Sequence, residues 1–327
     1  MHRLSERSNK PIAEIHEETD SAKAVANILH GDYSVVGGTA WVWAKEALAD
    51  TLDVLVVDEA GQMSLANVVA CAQAAKNLVL LGDPQQLEQP QKACHPDGSE
   101  LSALEYLLDG HETMPEERGL FLGESWRLHP VICRFTSELF YEGRLTSHPG
   151  LEQQALAGPT PFAGSGLFYS PVVHQGNQNA SPAEALRVVD IVKVLIGPGI
   201  TWTNYQGISK PLTLEDVLIV APYNAQVSEI AGRIPGAKVG TVDKFQGQEA
   251  PVVIYSTATS SWKDAPHGME FLFNRHRLNV ATSRARCVCI LVGNPALFEP
   301  ECRTPEQMRM ANAFCRYLEL AKPWSPL

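Results

Sequence analysis

The sequence predicts an α/β protein built on parallel sheets, and two observations carry that expectation. Short apolar runs at 54–57, 78–81, 217–220, 252–255 and 288–292 are continuous and β-branched rather than alternating, as strands covered on both faces read. Helical patterns fill the intervals between them, at 21–29, 65–75, 99–108, 130–141, 182–196, 225–233 and 305–320. Strands alternating with helices imply right-handed crossovers on a parallel sheet.

The elements follow in order. Residues 21–29 open the helical series, and the run at 54–57 ends in Asp58 and Glu59. The helix at 65–75 leads to the run at 78–81, which ends in Gly82, Asp83 and Pro84. Pro130, Pro182 and Pro305 stand at helix starts, where a missing N–H costs little. Residues 145–166, rich in Gly, Pro, Ala and Gln, read as a surface loop, and 197–211 as an irregular insertion. At 327 residues the chain has room for about two domains. The boundary fits best at 123–126, giving domains of 1–124 and 125–327.

Composition narrows the function. Hydrophobic residues make up 45% and charged residues 19%, ordinary for a globular protein. The net charge of −11 excludes a protein that coats nucleic acid with a basic surface, though not a narrow basic groove. Such a groove has a candidate in Arg275, Arg277, Arg284 and Arg286, with no acid among them. The seven cysteines form no metal pattern. Cys287 and Cys289, two apart on a strand, are expected to share a face. Scattered cysteines among apolar neighbours, with no secretory segment and no membrane-length apolar stretch, predict an intracellular protein, cytoplasmic or nuclear (nucleoid), with no membrane partner.

Ligands of open α/β sheets gather at the carboxyl ends of strands. There, one carboxylate of Asp58-Glu59 can hold Mg²⁺, mostly through water, while its neighbour activates an attacking water. Two acids after a strand can also simply start a turn. Asn77-Leu78-Val79-Leu80-Leu81-Gly82-Asp83-Pro84-Gln85-Gln86-Leu87 supplies a second strand end. A type I turn on Asp83-Pro84 would position Gln86, whose neutral amide suits a γ-phosphate sensor. A distant arginine, within the pair Arg284 and Arg286 that leads into an apolar run, fits charge that develops as a triphosphate is cleaved.

These stretches together resemble superfamily 1 helicases, nearest to branch 1B, which includes the nonsense-mediated-decay helicase. Asp58-Glu59-Ala60-Gly61-Gln62 and Gly82-Asp83-Pro84-Gln85-Gln86-Leu87 resemble motifs II and III. Ser125-Trp126-Arg127-Leu128-His129-Pro130 resembles the branch's Tyr-Arg-Met-His-Pro element. Val220-Ala221-Pro222-Tyr223-Asn224-Ala225-Gln226 resembles motif IV. Gly240-Thr241-Val242-Asp243-Lys244-Phe245-Gln246-Gly247-Gln248-Glu249 resembles motif V, and Leu278-Asn279-Val280-Ala281-Thr282-Ser283-Arg284-Ala285-Arg286 motif VI. The likeness covers about residues 35–295, with every motif in order.

The resemblance implies two RecA-like lobes, the first incomplete, with ATP and Mg²⁺ as cofactors and single-stranded DNA or RNA as partner. It implies that Asp58 holds Mg²⁺, Glu59 activates water and Gln86 senses the γ-phosphate. Arg127 and Arg284 become arginine fingers reaching across a cleft. Trp126 stacks on adenine, Glu249 bonds the ribose with Gly247 beside it, and Pro222, Tyr223, Thr241 and Asp243 line the strand. Plainer alternatives stand beside these roles. Trp126 suits an interdomain core, Tyr223 a half-buried strand end, and Asp243 with Lys244 a surface ion pair. His129 with Pro130 reads as a helix start rather than a base, and Arg286 as facing structure or solvent rather than phosphate.

Glu88-Gln89 before Pro90 and Thr282-Ser283 in motif VI are mild departures from the family. The larger one is that no Gly-Lys dipeptide occurs, so no G-x-x-x-x-G-K-[ST] loop is present. The sequence begins just upstream of Ser34-Val35-Val36-Gly37-Gly38-Thr39-Ala40, which resembles motif Ib. The expectation is therefore a helicase truncated before that element and inactive alone, its loop supplied by an upstream domain or a separate chain. The competing expectation is a non-catalytic remnant that binds nucleic acid or protein.

Overall fold

The computed structural model describes residues 15–87, 101–245 and 247–326. The chain forms two compact units that divide between His111 and Glu112. Among the described residues of the first unit are α1 (Ser21–His30), α2 (Ala40–Trp43), β1 (Leu52–Val57), α3 (Leu65–Ala72), β2 (Ala75–Leu80) and α4 (Ala103–Leu108). Asp20 caps α1 through the Ala22 and Lys23 N–H groups, and Gly31 ends it in the left-handed conformation. Ser102 and Glu105 form a capping box on α4. The expected helix at 65–75 stops at Ala72 because β2 has begun by Ala75. Residues 99 and 100 of the expected helix at 99–108 lie outside the described residues.

β1 and β2 pair in parallel, Val57 opposite Leu80. Their apolar residues are not covered on both faces: Val54, Val56, Leu78, Val79 and Leu81 are exposed. Among the described residues this sheet has two strands, paired in parallel as expected.

The second unit holds β3 (Glu124–Ser125), α5 (Pro130–Phe140), β4 (Thr146–Ser147), β5 (Ala155–Ala157), β6 (Gly166–Pro171), α6 (Pro182–Leu195), β7 (Thr201–Thr203) and β8 (Ser209–Pro211). After them come β9 (Val217–Ala221), α7 (Asn224–Arg233), β10 (Lys238–Thr241), β11 (Ala250–Ser256), α8 (Gly268–Leu272), α9 (Arg275–Ser283), β12 (Ala285–Gly293), α10 (Pro305–Leu320) and β13 (Lys322–Pro323). Six strands form one all-parallel sheet in the order β10-β9-β11-β12-β6-β13. Pro130, Pro182 and Pro305 each open their helix, as expected.

Both faces of this sheet are covered. Val188, Ile191, Val192 and Leu195 of α6 and Ile230 of α7 pack with Val217, Ile219, Val252, Ile254, Val288 and Ile290 in one cluster. On the other face the buried Tyr317 of α10 donates to the Cys289 carbonyl at 2.9 Å and meets Phe135 of α5 edge-on. That two-sided burial accounts for the continuous apolar runs.

Three expectations are corrected here. Residues 112–124 belong to the second unit rather than the first. The Glu112 N–H and the Thr113 hydroxyl bond the Glu142 carboxylate, and Arg144 donates to Thr113 at 2.7 Å and lies over the Phe121 ring. The supposed loop at 145–166 and insertion at 197–211 contain β5, β7 and β8, a three-stranded antiparallel sheet. Cys287 and Cys289 lie on opposite faces. Between Ala250 and Val252, β11 advances two residues while β12 advances three, from Ala285 to Val288. This bulge turns Cys287 into the α6 cluster and leaves Cys289 facing Tyr317.

Candidate functional site

In the first unit the functional side chains cluster where β1 and β2 end. Asp58 and Glu59 follow β1 directly and are exposed. Glu59 is one of few non-glycine residues with positive φ, at 54°. Such a conformation in a residue with a side chain is strained, and strain collects at functional sites. Its N–H is held by the Asp58 carboxylate at 3.0 Å, and Gln62 donates to its own carboxylate at 3.3 Å.

The two strand ends are locked at the backbone. Leu81 N–H donates to the Val57 carbonyl and Ala60 N–H to the Leu81 carbonyl, both at 2.8 Å. A Cβ on Gly61 would stand 2.8 Å from the Asp83 carbonyl oxygen, and one on Gly82 2.8 Å from the Ala60 nitrogen. Only glycines allow this approach. The expected turn is present: Gln86 N–H donates to the Asp83 carbonyl at 3.2 Å. The Asp83 carboxylate accepts the Gln85 N–H at 3.0 Å and the Gln86 side-chain amide at 2.9 Å. Gln86 is therefore fixed by its own turn. Among the described residues no group of three metal-ligating side chains occurs. Asp58 alone beside Glu59 still suits Mg²⁺, which keeps most of its waters and phosphate oxygens.

In the second unit a carboxylate stands between two guanidiniums. Glu249 pairs with Arg127 and with Arg286, and Arg127 also donates to the Ser283 carbonyl at 3.3 Å. Burial raises the Glu249 pKa, but the Arg286 hydrogen bond and the Arg127 charge outweigh it and hold the group below the usual range. Beneath the pair lies Gln154, 1% exposed. Its amide donates to the Arg127 carbonyl at 2.8 Å and the Arg286 carbonyl at 3.2 Å. His129 N–H donates to the same Arg286 carbonyl at 3.0 Å.

Trp126 is 65% exposed and stacks on His148 at 3.4 Å between centroids, with Glu124 holding the His148 ring. His129 is the N-cap of α5: Nδ1 accepts the Val131 N–H and Nε2 meets the Ser165 hydroxyl. Burial lowers its pKa, and its place is that of a helix start, not a base.

The expected strand-lining residues are mixed. Thr241 ends β10 and is partly exposed. Asp243 is exposed and pairs with Arg277 at 3.8 Å, while Lys244 donates to the Val239 carbonyl, so the two do not pair with each other. Pro222 and Tyr223 are buried, and Tyr223 stacks on Phe271 at 5.3 Å. Arg284 is only 3% exposed, at the end of α9. Gly247 is exposed with φ 72°. Sequence reasoning missed Gln154, which lies in the presumed loop, and read Arg286 as facing structure or solvent without finding its partner Glu249.

Comparisons with known proteins agree with the motifs. The family described as AAA domain matches residues 2–89 and, in a second model, 100–296. Mov-10-B.1 of Danio rerio is 30% identical over 286 residues, covering 76% of this chain and 28% of that protein. Helicase sen1 of Schizosaccharomyces pombe is 28% identical over 258 residues, covering 73% and 14%. RNA helicase Mov10l1 of Mus musculus is 29% identical over 276 residues, covering 73% and 22%. The chain thus belongs to the AAA domain family, and its relatives place it with the superfamily 1, nonsense-mediated-decay-like helicases. It spans less than a third of the length of these relatives. The structure of PRRSV helicase is 20% identical and overlays with a TM-score of 0.37 over 76% of this chain and 38% of that one. A superposition that remote carries no weight.

Proposed function

We propose that this chain is part of an ATP-dependent motor that moves on single-stranded nucleic acid. The observation that carries the reading is the pair Asp58-Glu59 at the end of β1, interlocked through Gly61 and Gly82 with the turn that fixes Gln86. Asp58 holds Mg²⁺, Glu59 activates water and Gln86 reports on the γ-phosphate. Arg127 supplies the charge of an arginine finger, worth about 10³–10⁵ in rate where such contacts are known. Arg284 is assigned the same role and has to leave its buried setting to perform it. Trp126 stacks on adenine with His148 behind it, and Glu249 exchanges an arginine for the ribose, with Gly247 alongside. Thr241 and Asp243 line the strand, while Pro222 and Tyr223 support it from below.

Among relatives, SMUBP-2 of Rattus norvegicus is described as a DNA-binding protein and Mov10l1 as an RNA helicase, so either nucleic acid fits. An intracellular setting goes with such partners, and no described helix is long and apolar enough to cross a membrane.

These 327 residues alone do not hydrolyse ATP. Four phosphate-loop hydrogen bonds at about 1.5 kcal/mol each amount to roughly 6 kcal/mol, or about 10⁴ in nucleotide affinity. The test is strand-stimulated ATPase of this chain beside a version joined to a Gly-Lys-containing loop segment. The expected result is turnover only in the joined protein, abolished by Glu59→Gln. Turnover by the chain alone sinks the inactivity, and none in the joined protein favours a non-catalytic strand-binding remnant.

A further inference from the structure

The second unit contains a buried acid that no role above uses. Glu184, in the first turn of α6, is 0% exposed. Its carboxylate accepts four hydrogen bonds: from His174 Nε2 at 2.9 Å, Thr257 Oγ1 at 3.2 Å, Ser256 Oγ at 2.7 Å and Ala258 N at 2.8 Å. The Asn177 amide donates to His174 Nδ1 at 3.1 Å, so the His174 proton sits on Nε2, toward Glu184. Gln226, the last residue of the motif IV stretch, donates to Ser256 Oγ at 2.8 Å and accepts the Ser181 N–H at 2.7 Å.

Three of those four bonds come from one short segment, two from the Ser256 and Thr257 hydroxyls and one from the Ala258 backbone N–H. Ala258 has φ 68°, and Thr259 N–H closes on the Thr257 carbonyl at 2.9 Å, a three-residue turn of the strained kind. It stands at the carboxyl end of β11, and β9 ends beside it, Tyr255 lying opposite Val220. Pro222 and Tyr223 leave β9 at that level. The Thr259 hydroxyl donates to the Gln178 carbonyl at 2.6 Å, and burial raises the pKa of the Tyr223 phenol, which has no hydrogen-bond partner among the described residues. Beyond the turn the chain surfaces at Trp262, with Lys263 over its ring, and at His267, which packs with Tyr223 and Phe271. Aromatic rings interleaved with cations suit a single strand.

We propose that Glu184 is a positioning residue for strand binding: its carboxylate holds the turn at Ala258, and thereby the backing of Tyr223 and the path of the chain into Trp262 and His267. The strained turn persists because a buried acceptor meets its N–H. An amide at 184 would set its own N–H₂ against donors.

The inference rests on the strand-binding reading, and fluorescence anisotropy with a labelled single-stranded oligothymidylate separates the two. Absence of binding by the wild-type chain removes the strand-binding reading itself. With wild-type binding in hand, Glu184→Gln is expected to weaken it about 10-fold, as for one buried hydrogen bond lost, with an unchanged salt slope because no phosphate contact is removed. Ala258→Gly, which accepts positive φ freely, is expected to restore most of that loss in the double variant. Binding by Glu184→Gln within about two-fold of wild type, below what a lost buried hydrogen bond produces, or no recovery in the double variant, overturns the proposal. If Glu184→Gln does not fold, Thr257→Val carries the test: about 3-fold weaker binding supports the proposal and wild-type affinity overturns it.

Discussion

The Glu249 carboxylate binds the guanidinium of Arg127, 122 residues earlier in the chain. By resemblance the two belong to different ends of a nucleotide, ribose and γ-phosphate. In this structure each satisfies the other, with Arg286 completing the group. On the function proposed above, a nucleotide reaching these residues has to compete with an internal ion pair.

Glu249→Gln is expected to destabilise the second unit by about 2 kcal/mol, because two half-buried guanidiniums lose a charged acceptor. The sign with pH follows from the lowered carboxyl pKa. Stability from this group is present above the ordinary carboxylate value of 4.5 and is lost as pH falls through the lowered folded value. Urea unfolding at pH 7 and at about pH 3, below the unfolded carboxylate range, checks this: the gap between wild type and variant narrows at low pH.

How much of this was legible depended on covering and contact range. In the second unit β9, β11 and β12 announced themselves because helices bury both of their faces, whereas β6, β10 and β13 of the same sheet were not read from the sequence. Asp58, Glu59 and Gln86 were legible because their partners lie within a few residues along the chain. β5, β7 and β8 were not, since three-residue strands in Gly- and Pro-rich sequence leave no periodicity to read. The roles of Gln154 and Arg286 were hidden for a different reason: each acts on partners more than twenty residues away. The bulge that parts Cys287 from Cys289 is set by pairing with β11, which neither cysteine encodes.

Gln154→Ala tests the support under that ion pair. The variant removes the Gln154 donor from the Arg127 carbonyl and leaves the Arg286 carbonyl with the His129 N–H alone. The expected cost is about 1–3 kcal/mol. Gln154→Glu is expected to be worse, since a carboxylate would face two carbonyl oxygens with no hydrogen to offer. Thermal unfolding of the three proteins should rank them wild type, Ala, Glu, and equal midpoints for wild type and Ala would contradict the geometry.

Gly61→Ala and Gly82→Ala test the lock between the strand ends. Each added Cβ meets backbone at 2.8 Å, which has no flexible side chain to move aside. Gly82 also has φ 156°. Each substitution is expected to cost about 1–3 kcal/mol, the usual scale of overpacking. Amide exchange at Ala60 and Leu81, whose N–H groups bridge the two strands, should quicken in both variants. Gly37→Ala, with open space around its Cβ position, serves as the silent control.

Trp126→Ala separates binding from folding. At 65% exposure the ring contributes little to the core, and its stacking partner His148 keeps its bond to Glu124. The expected change in stability is within about 0.5 kcal/mol, as for surface substitutions. Stacking on adenine would instead contribute about 1 kcal/mol or more beyond area burial, so a fluorescent adenine nucleotide should bind the loop-joined protein roughly 5- to 10-fold more weakly in the variant. A uridine nucleotide should lose less, having the smaller ring to stack. If both nucleotides lose affinity equally, or if the unfolding midpoint falls by several degrees, Trp126 is a packing residue and the adenine platform lies elsewhere.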